Sequence, residues 1–199
     1  MAKLLYQGHG SLRLTTAEGT VVYIDPYMGE GYDVPANIVL VTHQHYDHTA
    51  IDKMPHASGC VVWQNMDAHP SRNEYLSRVF GDVQVEAVQA YNDMHPVDEC
   101  VGYVVTVDDL TLYFAGDTSR TEDMKKLAAR SIDYAFLPGD GIYNMNVDEA
   151  ARCAELIGAE HNVPIHLKPV KPYGEKEAQR FAKLAPNPLL VRAGECIEL

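Results

Sequence analysis

The chain has 199 residues, which suits one domain over residues 1–199 that buries a core without disulfides or other staples. Hydrophobic residues make up 46% and charged residues 22%, and the formal net charge is −12. That acidic balance argues against nucleic acid, whose phosphates are neutralised by Lys and Arg, and against docking on an anionic membrane.

The first residues, Met1-Ala2-Lys3-Leu4-Leu5-Tyr6-Gln7-Gly8, show no long apolar core or small-residue cleavage site, and no apolar run approaches the ~20 residues that span a bilayer. Cys60, Cys100, Cys153 and Cys196 are far apart without a CxxC pair, so buried thiols are expected rather than a disulfide framework. Cytoplasm is the expected location. The oligomeric state is left open.

In chain order, residues 4–7, 11–16 and 20–25 read as short strands punctuated by Gly8-His9-Gly10 and Glu18-Gly19 turns. The third closes on Ile24-Asp25-Pro26, before a loop with Gly29 and Gly31. The β-branched run at 38–42 predicts a buried strand, and 60–63 another. Residues 67–79 predict a helix with Pro70 in its first turn. Residues 83–90, 101–107 and 110–115 alternate as strands, the last two joined by a turn at Asp108-Asp109. Then 121–130 reads as helix, 133–137 as strand, and 147–157 as a helix capped by Asn146 and closed by Gly158. A strand at 163–167, a helix at 175–184 and strand-like terminal pieces follow. Hairpins first and β/α alternation later fit two sheets with helices outside better than a single doubly wound sheet.

Between the strand at 38–42 and a short helix capped within Thr49–Asp52 runs His43-Gln44-His45-Tyr46-Asp47-His48. Three imidazoles packed this closely repel one another when protonated, and a divalent cation is what holds neutral imidazoles and a carboxylate together. The loop lies at the carboxyl end of a strand, where α/β sheets present their ligands. In near-extended backbone His43, His45 and Asp47 share one side and His48 takes another, so one loop can serve two adjacent metal positions. Asp117, after Leu112–Gly116, and His166, after Val163-Pro164-Ile165, also follow apolar runs, and His95 sits in a loop after the 83–90 strand. Each alone reads equally as a cap, surface or core residue; together with HQHYDH they read as ligands.

The order HxHxDH, loop His, strand-end Gly-Asp-Thr and strand-end His resembles the metallo-β-lactamase superfamily, and more narrowly its small metal-dependent hydrolases, including ascorbate-6-phosphate lactonase-like proteins. Gly8-His9, Ile24-Asp25-Pro26, Val41-Thr42-His43, Ala90-Tyr91-Asn92, Leu137-Pro138-Gly139 and Pro164-Ile165-His166 extend the likeness over nearly the whole chain. The resemblance implies an α/β, four-layer αββα sandwich with a two-metal site at one edge. It implies His43, His45 and a third His around the first metal, Asp47, His48 and His166 around the second, and Asp117 between them. Many members carry the third His directly after the strand, where this chain has Tyr91, which leaves His95 as the candidate. Asp140 stands where the branch usually has a small residue; a turn carboxylate is the expected role and a pocket-lining one the alternative.

The implied chemistry is hydrolysis of a small ester, lactone or phosphoester by a metal-activated water, with Asp47 both ligand and proton acceptor. Zinc is the expected metal, and manganese, iron or nickel suit the same donors. His9 and Asp25 are candidates to orient the ligands. Arg120, Lys168 and Lys171 suggest a pocket for a small anionic substrate, completed by Tyr91, Asn92, Tyr143, Asn144 and Met145. An iron-dependent redox or sulfur-handling enzyme and a non-catalytic metal-binding protein remain as alternatives.

Overall fold

Short apolar strands joined by tight turns pair first with their sequence neighbours, and that order is visible in the computed structural model, which describes residues 1–199. In the first sheet β1 (Lys3–Gly8), β2 (Ser11–Thr15) and β3 (Val21–Ile24) form an antiparallel meander. β4 (Ala36–Val41) and β5 (His56–Gln64) then add in parallel. After a single helical turn, α1 (Asn65–Ala68), the second sheet opens with β6 (Ser77–Phe80), β7 (Val83–Gln89), β8 (Val101–Val107) and β9 (Leu110–Phe114), all antiparallel. Past α2 (Met124–Leu127), β10 (Tyr134–Pro138) pairs parallel to β9. α3 (Val147–Ile157) leads to β11 (His161–Ile165), parallel to β10, and α4 (Glu175–Leu184) to β12 (Cys196–Glu198), which returns to the edge of β1.

The sheets bury their inner faces against each other, with Tyr6, Leu14, Ile24 and Leu40 on one side and Val85, Tyr103, Phe114 and Phe136 on the other. The Phe114 and Phe136 rings stack at 4.7 Å. Tyr103 donates across the interface to the carbonyl of Val41 at 2.9 Å. α3 covers the outer face of the second sheet with Ala150, Cys153, Ala154 and Ile157; Asn146 caps its first turn and Gly158 closes it in left-handed backbone. On the first sheet the outer layer is thinner: Tyr32 and Met54 from loops pack on Tyr23 and Val39, beside one 3-10 turn at Ile51–Lys53. The layering is αββα with few helices.

The predicted helix at 67–79 is a correction. α1 stops because His69 precedes Pro70, which disfavours helical backbone there, and His69 takes φ −137°, ψ 69°. Residues 77–80 instead pair with β7 as the sheet edge. The strand expected at 60–63 begins at His56, and 121–130 yields one α-helical turn followed by a 3-10 turn. Cys196, expected buried, is exposed on β12, and no cysteine is bridged.

The pairing pattern makes β1, β3 and β4 run one way in the first sheet, and β7, β9, β10 and β11 share a direction in the second. Their carboxyl ends carry His9, Asp25, His43, His95, Asp117, Asp140 and His166 in turn. Two backbone bonds lock the sheets together there: His166 N–H to His9 O at 2.8 Å, and Val101 N–H to Thr42 O at 3.0 Å. Because Tyr103 bridges the same interface, Tyr103→Phe is expected to lower unfolding free energy by about 1 kcal/mol, read from urea denaturation.

Candidate metal centre

Several strand ends turn sharply into the site. His9 (φ 57°), Asp25 (φ 46°) and His166 (φ 46°) lie in left-handed backbone, which side-chain-bearing residues adopt at a cost and which clusters at functional sites. Gly10 leaves room for an imidazole: a Cβ there would lie 3.0 Å from Cε1 of His48.

Most of the rings are aimed by an oxygen. Asp25 accepts from Thr42 N–H at 2.8 Å and Thr42 Oγ1 at 2.7 Å, and Thr42 Oγ1 lies 3.0 Å from His43 Nδ1. His48 Nδ1 stands 3.0 Å from Asp25, and His166 Nδ1 3.0 Å from Asp140. His95 Nδ1 meets Asn92 Oδ1 at 2.9 Å. With Nδ1 turned outward in each, Nε2 faces the centre, an arrangement that fixes tautomer and direction in metal-ligating histidines. His9 Nε2 lies 3.1 Å from Asp47 Oδ2.

At the centre Asp117 is buried, with Nε2 of His95 at 3.4 Å and of His48 and His166 at 3.5 Å from its oxygens. His95 Nε2 is 3.1 Å from His45 Nδ1. Donors that share a tetrahedral ion at roughly 2.0–2.2 Å stand about 3.3–3.6 Å apart, so these separations fit a metal among them. Donor atoms of His43, His45 and His95 lie within 4.8 Å of one another, as do those of His43, His48 and Asp117, and those of His9, Asp47, His48 and His166. Nε2 of His43, His48 and His166 is buried without a hydrogen-bond partner, and Nδ1 of His48 and His166 has only the ion-pair approach of Asp25 and Asp140. Buried nitrogens left so are costly, and a divalent cation is what this donor set satisfies.

Electrostatics follow the same division. Burial, helped by the neighbouring His48, holds His43 well below the ordinary imidazole range, and burial likewise lowers His95; both are kept as neutral donors. Burial opposes charge on His48 and His166, but Asp117, with Asp25 or Asp140, prevails and raises both. For Asp117 burial is overcome by His166 and His48, which hold the carboxyl well below its usual range. Burial also opposes ionisation of Asp47, yet the hydrogen bond with His9, the charge of His48 and a backbone hydrogen bond together outweigh it and bring the carboxyl to about 2.

The donors open on a cleft of about 270 Å³ lined by His45, Asp47, His95, Asp117 and His166, with Tyr46, Met94, Tyr143, Pro169 and Val170 at its mouth. The expected donors His43, His45, Asp47, His48, His95, Asp117 and His166 are therefore brought together, and His9 joins them. The expected basic pocket does not form at this cleft. Arg120 lines a separate hollow with Arg152 and Glu155, Lys168 pairs with Glu177 at 2.6 Å, and Lys171 is exposed outside the lining. Tyr91, Asn92 and Asn144 line an adjoining hollow that shares Met94 and Tyr143 with the cleft. The Asn92 amide is taken up by His95, Met94 N–H and Tyr143 O, and Asn144 is buried against Asp140. Met145 is buried in the core beneath the helices. Asp140 is a turn carboxylate, accepting from the N–H groups of Ile142, Tyr143 and Asn144, and also the partner of His166. Sequence reasoning passed over Thr42 and the orienting use of Asn92; the position of Thr42 beside His43, facing the strand-end Asp25, was the available signal.

Comparison with known proteins follows the same outline. The profile of the beta-lactamase superfamily domain matches residues 3–166. A metal-dependent hydrolase of Geobacillus thermodenitrificans is 32% identical, across 99% of this chain and 100% of its own length. A solved protein from Parabacteroides distasonis superposes with a TM-score of 0.76 at 28% identity, covering 96% of this chain and 92% of that chain. A metallo hydrolase from Ignicoccus hospitalis, at 19% identity and a TM-score of 0.74 over 98% of this chain and 97% of its own, shares the fold.

A metal bound at 100 times its dissociation constant adds about 2.7 kcal/mol, so chelation of metal-loaded protein is expected to lower Tm by about 5–10 °C in a thermal scan. Asp140→Asn leaves one carbonyl oxygen where two carboxylate oxygens now serve the turn and His166. Competition with a fluorescent chelator should show metal affinity weakened roughly tenfold.

Proposed function

The chain belongs to the metallo-β-lactamase superfamily and to its metal-dependent hydrolases, and from that premise we propose that it cleaves a small ester, lactone or phosphoester with a metal-activated water. The observation that carries this reading is the convergence of imidazole nitrogens on the buried Asp117 at the floor of an open cleft. His43, His45 and His95 would hold one ion, and Asp47, His48 and His166 a second, with Asp117 between the two. Zinc is the proposed metal on the nature of the donors, and manganese, iron and nickel satisfy the same mixed set. A bound divalent cation supplies Lewis-acid polarisation of the scissile oxygen and lowers the pKa of water.

The chain's own groups do the rest. Asp47 faces the cleft and accepts the proton that the attacking water gives up. At about 2 it is a weak base, competent only towards water already made acidic, which couples its use to metal loading. His9 holds that carboxylate in place from beneath. Asp25, Thr42, Asn92 and Asp140 keep the rings fixed, so that little reorganisation is needed when charge develops on the substrate. The net charge of −12 supports a small molecule over nucleic acid, and four unbridged cysteines support a cytoplasmic setting.

His45 is an exposed donor, so its removal spares the core. With zinc-loaded protein and a panel of esters, lactones and phosphodiesters, His45→Ala is expected to cut kcat/KM by at least roughly 100-fold with an unchanged circular dichroism spectrum. A variant as active as the parent overturns the assignment.

A further inference from the structure

Several large apolar side chains that the fold leaves in solvent do not scatter but ring the cleft. Tyr46 is 68% exposed, Met94 56%, Tyr143 47% and Val170 67%, and all line its mouth together with Pro169. Exposed apolar groups that gather at one opening mark a binding surface. Resting on the hydrolytic reading above, we propose that this mouth holds the acyl or alkyl chain of a neutral ester or lactone, in preference to an anionic substrate.

Charge points the same way. No lysine or arginine lines the cleft, whereas Asp47 and Asp117 do. The nearby cation that follows His166 is diverted, since Lys168 Nζ lies 2.6 Å from Glu177 Oε1, and Arg120 borders another hollow. Beyond the metal-binding groups, the lining offers an anionic substrate no lysine or arginine to pair with, whereas a hydrocarbon chain would meet rings, a thioether and an isopropyl group.

The mouth is also held in shape. Val170 takes φ 50°, a left-handed conformation in which a β-branched residue is strained, and that backbone carries its side chain at the opening. Tyr143 donates its N–H to Asp140 at 2.9 Å and accepts from Asn92 Nδ2 at 3.0 Å, so the partners of His166 and His95 also fix the rim. Such preorganisation reduces the ordering cost of binding a flexible chain. In the reaction the water oxygen bonds the acyl carbon and the ester C–O bond breaks. The proton released from water passes through Asp47 to the departing alkoxide, giving one carboxylic acid and one alcohol from an ester, or a single hydroxy acid from a lactone.

The test uses zinc-loaded enzyme with p-nitrophenyl acetate, butyrate and hexanoate, and with the anionic p-nitrophenyl hemisuccinate and p-nitrophenyl phosphate. Along the neutral series kcat/KM should rise roughly two- to fourfold per CH₂, and hexanoate should exceed each anion at least tenfold. Val170→Ser and Met94→Ser should each flatten that rise at unchanged zinc content. Calorimetry with metal-free protein supplies a readout independent of turnover, in which N-hexylacetamide should bind at least tenfold more tightly than N-ethylacetamide. A flat chain-length series, an anion preferred, or equal amide affinities overturns the proposal while leaving hydrolysis in place. Selective amide binding by the metal-free protein, with zinc-loaded protein that cleaves nothing on the panel, overturns the hydrolytic reading and leaves the apolar mouth standing.

Discussion

The carboxylate of Asp117 is the charge around which the molecule is arranged. It is buried, and a buried carboxylate persists only with positive or donor partners close by. Imidazoles supply them from both sheets: His48 follows β4 of the first, while His95 and His166 follow β7 and β11 of the second. The sheets must therefore meet with their like-directed strand ends at one edge, and the backbone bonds between His166 and His9 and between Val101 and Thr42 set that meeting. Asp117, with Asp25 beside one ring and Asp140 beside the other, favours the charged forms of His48 and His166 against the cost of burying them.

Around this centre a layer of oxygens does the aiming. Asp25 serves both Thr42 and His48, Asn92 serves His95, and Asp140 serves His166 while closing a turn. The positions that place His9, Asp25 and His166 are in left-handed backbone, so the fold stores local strain where direction matters and recovers it through the tightly packed sheets behind.

The parts of this arrangement that could be read from the amino-acid order are the local ones. HQHYDH declares itself because its groups are neighbours in the chain, and Asp117 and His166 because each ends an apolar run. What tertiary pairing decides was hidden. Residues 77–80 look helical by spacing yet serve as an edge strand, since Pro70 ends α1 and β7 offers an open partner. Lys168 and Arg120 follow site residues closely, but Glu177 on α4 and the hollow beside α3 draw them away, which no spacing could reveal. Asn92 looked like a substrate contact because its amide is polar and near a ligand; only the fold shows that amide already spent on His95 and Tyr143.

The donors span the chain from His9 to His166, and β12 pairs back onto β1. β1 to β5 and the HQHYDH loop precede Asp117 and His166 in the chain, while β12, the edge strand of the same sheet, comes last. The donor atoms of His43, His45 and His95 all come from the first half, whereas the groups around Asp117 and His166 need the second. A chain ending before β11 lacks His166 and the backbone bond that ties it to His9, so the group of His9, Asp47, His48 and His166 cannot close.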